Sequence, residues 1–157
     1  PREYGGGYFH DMTRTWSIGY ATDEVLEAYQ QVMEAFDLSI EMFGMGKPCH
    51  LMQEAVQTYF EERGHQTART HPGTQQGYVH SLGHGIGLNI HESPRISHLI
   101  KEDTFAAGNV ITIEPGLYYP ERGFGVRVED AFYVTDDGRL VSLTPMSKDL
   151  IVPLRGG

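Results

Sequence analysis

Residues 80–92 read HSLGHGIGLNIHE: three histidines, His80, His84 and His91, at spacings of four and seven, with Gly83, Gly85 and Gly87 between and around them. Glycine lets a backbone turn sharply or pass close to a ligand, and a helix would carry this density of glycine only at a large propensity cost. The stretch is therefore a strand or loop that presents imidazoles. Acidic residues upstream, Asp11, and downstream, Glu114 and Glu129, suggest that it presents them to a metal.

Composition narrows the field. The 157 residues have the usual size of one domain, and 39% hydrophobic against 21% charged content reads as globular and not disordered. No apolar run approaches a bilayer span, so no membrane partner is expected. A net charge of −9, from twelve basic and twenty-one acidic residues, argues against a nucleic-acid partner. Cys49 is the single cysteine, so an internal disulfide is excluded and a reducing cytoplasm is the expected setting. Its position after Lys47-Pro48, at an expected helix start, favours a structural thiol over a nucleophile.

Residues 8–18, YFHDMTRTWSI, have the aromatic and threonine content of a strand, with Asp11, Thr13 and Thr15 on one face and Met12, Arg14 and Trp16 on the other. A helix follows, capped by Thr22 or Asp23, with Val25, Tyr29, Val32, Met33, Phe36 and Ile40 as its apolar stripe, and Gly44 and Gly46 end it. A second helix after Pro48 carries Leu51, Met52, Ala55, Val56, Tyr59 and Phe60 on one side and closes at Gly64. His50 and His65, which flank it, read as surface histidines. Residues 65–77 form a polar loop, and Ser93-Pro94 is expected to break the chain. Residues 110–113 make a clear strand into Glu114-Pro115-Gly116. Residues 117–120 continue extended, residues 124–135 return as one strand, and Asp136-Asp137-Gly138 turns a tight hairpin into residues 140–143. Residues 150–153 are a short final strand or an interface segment. One strand, two helices and a run of strands imply an α+β domain with a strongly curved antiparallel sheet and helices on one side.

One imidazole and three carboxylates (His84, Asp11, Glu114 and Glu129) form a mixed N/O donor set that suits hard or borderline divalent ions such as Mn²⁺, Co²⁺ or Zn²⁺. Carboxylates can bridge, so the set can hold two ions about 3.5–4 Å apart around a water. The helical HExxH motif is absent, and GHGIG lacks the Gly-Lys-Ser/Thr end of a phosphate loop.

HSLGHGIGLNIHESP, ITIEPGLYYP, GFGVRVED and YFHDMTRTW resemble, in order and mutual spacing, the signature segments of the dinuclear metallopeptidases that include aminopeptidase P and prolidase. Methionine aminopeptidases are more distant cousins, and the VRVED form points to the proline-directed branch. The resemblance implies the pita-bread fold, a curved antiparallel sheet with helices on its outer face and metals in its concavity. It also implies an exopeptidase that hydrolyses the Xaa-Pro bond of proline-containing peptides with a hydroxide bridging two divalent ions, Mn²⁺ first among them. Asp11 and Glu129 would be the bridging carboxylates, and His84 and Glu114 would complete the first ion's shell. Glu114 would also shuttle a proton to the leaving amine. His80 and His91 would bind substrate and stabilise the oxyanion. Tyr118 and Arg127 would line the proline side, with Arg127 also paired to a ligand carboxylate. A homodimer is compatible with this resemblance.

A further aspartate ligand of that family would fall ahead of Pro1. The expectation is therefore that residues 1–157 form a single domain, the C-terminal portion of a metallopeptidase catalytic domain incomplete at its N-terminus. Its second metal would lack a ligand of its own, and its hydrolysis would be weak unless complemented. Three alternatives are disfavoured: a glycine-rich turn with satisfied core histidines, a creatinase-type C–N hydrolase on the same fold, and a non-catalytic binding module. Relatives of the last two kinds lose the carboxylates that this sequence retains. Dipeptidase or aminopeptidase depends on a basic group that caps the proline carboxylate, with Arg95, Arg122 and Arg127 as candidates.

Overall fold

The computed structural model describes residues 4–154. Strand β1 (Ser17–Ile18) leads into helix α1 (Asp23–Met42), and helix α2 (Cys49–Glu61) follows. Then come β2 (Gly83–Gly85), β3 (Glu92–Ile96), β4 (Val110–Ile113), β5 (Gly116–Tyr119), β6 (Phe124–Arg127), β7 (Asp130–Val134), β8 (Leu140–Ser142) and β9 (Ile151–Val152). Thr22 caps α1 by accepting the Val25 N–H, and Asp23 and Glu24 lie in the first turn, where the helix dipole favours negative charge. The helix ends ahead of Gly46, whose φ of 81° only glycine adopts without strain.

The main sheet runs β3-β2-β4-β7-β8, all antiparallel, while β5 and β6 pair as a hairpin and β1 pairs in parallel with β9. Residues paired across strands share a face. Gly85 pairs with Ile111, which pairs with Phe132, and Ile113 pairs with Asp130. That face carries the apolar core: Ile111, Ile113 and Phe132 pack with Val32, Phe36, Met52, Val56 and Phe60 of the helices, and the rings of Phe36 and Phe132 lie 6.0 Å apart. The period-two alternation sends His84, Thr112, Glu114 and Glu129 to the opposite face. Arg95, paired with His84, joins them.

Several elements differ from the sequence reading. Residues 8–18 make no continuous strand; they contribute β1, a bridge residue at Phe9, whose N–H donates to the Gly87 carbonyl, and an isolated bridge between Thr13 and Glu129. Ser93-Pro94 lies inside β3 and does not end it, because β3 is the sheet's outermost strand and an edge tolerates a missing N–H. The return at residues 124–135 divides into β6 and β7, with Val128 donating its N–H to Pro115 at the break. Ile40 and Leu51 are exposed. Ala28, Ala35 and Ser39 in α1 and Gln53 and Gln57 in α2 are buried instead. Gln53 is accommodated because its carbonyl accepts the Tyr78 hydroxyl and the Leu82 N–H while its amide donates to the His80 carbonyl. His65 is wedged between Gln31 and Tyr119, both of which hydrogen-bond its ring.

Phe60 is fully buried, with Tyr59, Tyr78 and His65 rings 5.4, 5.2 and 5.8 Å from its own. Phe60→Ala is expected to destabilise the protein by about 3–5 kcal/mol in chemical denaturation. An unchanged denaturation midpoint would contradict this account of the core.

Candidate metal centre

Four segments deliver the donors to one face. His84 is central in β2, whose backbone lies against both neighbours. A Cβ on Gly83 would stand 2.0 Å from the Thr112 carbonyl oxygen, and one on Gly85 would stand 2.3 Å from that of Ser93. Only glycine fits on either side of this histidine. Glu114 follows β4 and is held beside β2 by its N–H to the Leu82 carbonyl, 2.8 Å. Glu129 precedes β7, and its N–H and carbonyl pair with the carbonyl and N–H of Thr13 at 3.0 and 3.3 Å. Asp11 lies two residues before Thr13 and on the same face.

These placements bring donor atoms of Asp11, His84 and Glu129 within 4.8 Å of one another. Glu114 joins them through His84, with Nε2 3.5 Å from Glu114 Oε1. The His84 Nδ1–H donates to the Gly85 carbonyl at 3.0 Å, which leaves the Nε2 lone pair facing the carboxylates. Thr13 Oγ1 donates to Glu129 Oε2 at 2.6 Å and accepts from Arg127 Nε at 3.0 Å. Arg127 Nη1 donates to the Tyr118 hydroxyl at 3.3 Å, and that hydroxyl lies 2.9 Å from His80 Nε2. His80 Nδ1 donates to the Ser81 carbonyl at 2.7 Å. Both nitrogens of His80 are thus engaged within the protein. The His91 ring is exposed and stands edge-on to His84 at 4.3 Å.

Burial holds His80 and His84 below the ordinary histidine range, so both are neutral at pH 7, the form a ligand or acceptor needs. Burial and then the Glu129 charge push the Glu114 carboxyl up to about 8. Burial also raises Glu129, opposed by the Thr13 hydrogen bond. An imidazole nitrogen and clustered carboxylates whose charges oppose one another form a donor set that a divalent cation fits. A cleft of about 400 Å³ opens beside it, with His80, His84, His91, Arg95, Glu114 and Arg127 on its walls.

All eight residues singled out by sequence therefore belong to one connected region: Asp11, His84, Glu114 and Glu129 at the donors, His80, Tyr118 and Arg127 in the hydrogen-bonded chain behind them, and His91 at the cleft. Sequence reasoning missed Thr13, which shares a strand face with Asp11 in the alternation of DMTRTW. It also missed Gln53, whose amide pins the backbone around Ser81 from α2 and leaves no local sequence signal.

The model of metallopeptidase family M24 matches residues 3–136, and the chain belongs to this family. It is 36% identical over 144 residues to the Xaa-Pro dipeptidase of Pyrococcus furiosus, covering 92% of this chain and 38% of that protein. Among solved structures, dipeptidase PepE from Mycobacterium ulcerans superposes with a TM-score of 0.81 at 32% identity, covering 96% of this chain and 38% of that one. The X-Pro aminopeptidase from Thermotoga maritima superposes with a TM-score of 0.77 at 34% identity, covering 92% and 38%. The architecture is that of the pita-bread peptidases, and the chain spans 38% of the length of each of these three relatives. Among the described residues no helix is long and apolar enough to cross a membrane.

The raised Glu114 carboxyl gives a pH signature. A group whose pKa rises from 4.5 to about 8 on folding favours the folded state while protonated and loses that contribution as pH climbs through 8. The depressed histidines act in the other direction, and their effect is complete above their unfolded value of 6.5. With the histidine contribution complete, metal-free protein should therefore melt at a progressively lower temperature from about pH 7 to about pH 8 and level off above that. Glu114→Gln should flatten the decline, and Mn²⁺ should restore more stability at the alkaline end. Differential scanning calorimetry across this range checks all three, and a wild-type profile as flat as the variant's would rule out the buried-carboxylate account.

Proposed function

We propose that this chain is the C-terminal portion of the catalytic domain of a metal-dependent exopeptidase that hydrolyses Xaa-Pro bonds. The observation that carries the proposal is the convergence of Asp11, His84 and Glu129, with Glu114 3.5 Å from His84, beside a cleft that His84 and Glu114 line. Asp11, His84, Glu114 and Glu129 would hold one divalent ion. A second would share Asp11 and Glu129 and take its remaining ligand from outside this chain. When bound, the ions supply Lewis acidity and a water acidic enough to act near neutral pH. Mn²⁺ suits this carboxylate-rich set, with Co²⁺ or Zn²⁺ as substitutes.

The protein's own groups do the rest. Glu114, placed at the donors beside His84 and on the cleft wall, would take the proton of the attacking water as a carboxylate and pass it to the proline nitrogen. His91, exposed at the cleft, donates to the carbonyl oxygen as charge develops there. His80 is less suited to that donation, since its nitrogens already face Ser81 and the Tyr118 hydroxyl. It orients Tyr118 on the proline side, and Arg127 braces that hydroxyl and Thr13 together.

Arg95 supports a dipeptidase over an aminopeptidase. It lines the same cleft as His91 and Glu114, and its guanidinium enters no ion pair among the described residues. Arg122 is paired with Glu24 and lines a different cavity, and Arg127 is committed to Thr13 and Tyr118. A free cation there would cap the carboxylate of a Xaa-Pro dipeptide. A cytoplasmic setting fits the lone buried Cys49, whose thiol burial pushes up to about 12.

Two measurements test this reading in the intact enzyme with Mn²⁺. Glu114→Gln should abolish turnover of Ala-Pro, and near-normal rates would refute the proton shuttle. Arg95→Ala should lower kcat/KM for Ala-Pro by roughly tenfold or more, the worth of a charge-assisted hydrogen bond, and leave a longer Xaa-Pro peptide much less affected. Equal losses on both peptides would remove the dipeptidase assignment.

A further inference from the structure

Directly behind the donor cluster, on the helix-facing side of the sheet, lies an ion pair that the chemistry above does not use. The side chains of Arg14 and Asp130 are each 1% exposed, with Nη2 2.6 Å from Oδ1. Their chain neighbours Thr13 and Glu129 face the donors; these two face the core. Arg14 reaches well beyond its partner. Nη1 donates to the carbonyls of both Thr13 and Glu129, at 2.9 and 2.8 Å. Nη2 also reaches the carbonyls of Thr144 and Met146, at 3.2 and 3.0 Å, and Nε reaches that of Ser147 at 3.0 Å. Asp130 is satisfied in turn by the Thr144 hydroxyl at 2.8 Å and by Lys148 Nζ at 2.5 Å.

The two carbonyls bonded by Nη1 are those of the Thr13–Glu129 bridge. That bridge stands alone, with no ladder on either side. An isolated bridge specifies register weakly, and a slip of one residue would turn Asp11 or Glu129 to the wrong face. The segments that carry Asp11 and Glu129 thus meet through one pair of backbone hydrogen bonds, through the hydroxyls of Thr13 and Thr15 bonded to Glu129 and Arg127, and through the guanidinium, the one group that closes over both carbonyls of the bridge.

We propose that Arg14, anchored by Asp130, is a positioning residue that locks the register of the Thr13–Glu129 bridge and thereby the mutual placement of the Asp11 and Glu129 carboxylates. The consequence for metal binding rests on the reading that these carboxylates are ligands; the register claim does not. A lysine can keep the charge pair with Asp130 but lacks the planar fork that spans two carbonyls, so Arg14→Lys separates the two contributions.

The test compares wild type with Arg14→Lys and Asp130→Asn in the full chain. Amide hydrogen exchange reads the register. Arg14→Lys should raise exchange at Thr13 and Glu129 roughly tenfold or more while Ile111 and Ile113 in β4 keep wild-type protection, since a merely destabilised fold would release all four together. Mn²⁺ titration by calorimetry reads the consequence, with affinity expected to fall by about 10–100-fold, the range found when a supporting group of a metal site is lost. Asp130→Asn keeps an acceptor for Arg14 and should show the same pattern more weakly, which serves if the lysine variant does not fold. Wild-type exchange at Thr13 and Glu129 in a folded variant would overturn the proposal. Mn²⁺ failing to bind wild type would overturn the ligand reading instead and leave the exchange result to decide the register.

Discussion

Like charges held close together in a partly buried cleft are the constraint around which this molecule is arranged. Glu114 and Glu129 both titrate above the ordinary carboxylate range, because burial raises each and neighbouring carboxylates add to it. Such a cluster has two ways to relax: it can take up protons, or it can take up a cation. A flexible chain would have a third, which is to move the side chains apart. The bonds around these residues remove that option. Thr13 Oγ1 holds one oxygen of Glu129, Arg127 holds Thr13, and the Glu114 backbone is tied to Leu82. The cost of keeping the carboxylates together is met by the hydrogen-bonded frame around them.

The frame works because a sheet gives adjacent residues opposite surroundings. Glu129 and Asp130 are neighbours in the chain, yet one carboxylate belongs to the donor cluster and the other to a buried pair with Arg14 on the helix side. Thr13 and Arg14 divide in the same way. A single backbone crossing therefore carries both the reactive groups and the means of holding them. The glycines of β2 serve the same end, since side chains at Gly83 or Gly85 would displace the neighbouring strands that set His84 against Glu114.

What could be read from sequence, and what could not, follows from how local each signal is. The helices were legible because apolar residues recur at helical spacing and Thr22, Gly46 and Gly64 mark their ends. The donors Asp11, His84, Glu114 and Glu129 were legible only as parts of a resemblance, because ligands spread over several segments leave no periodic trace. Residues 8–18 have strand composition but find no full-length partner within the described chain, so composition overstated the element. Buried Gln53 and Gln57 read as polar surface, since nothing local announces that β-segment groups will satisfy Gln53 from across the core. Ser93-Pro94 read as a break because edge position is a property of the sheet and not of the dipeptide.

The contrast between His80 and His91 shows how such a frame assigns work to chemically identical side chains. His80 is neutral, donates from Nδ1 to Ser81 and meets the Tyr118 hydroxyl at Nε2. It has no proton to spare for a developing negative charge unless that network breaks. His91 stands exposed beside His84 and lines the cleft. A donor that is already satisfied orients; a donor that faces the cleft acts. The distinction lies in the partners that the fold supplies to each ring, and it follows that removing Tyr118 would change what His80 can do without touching the histidine itself.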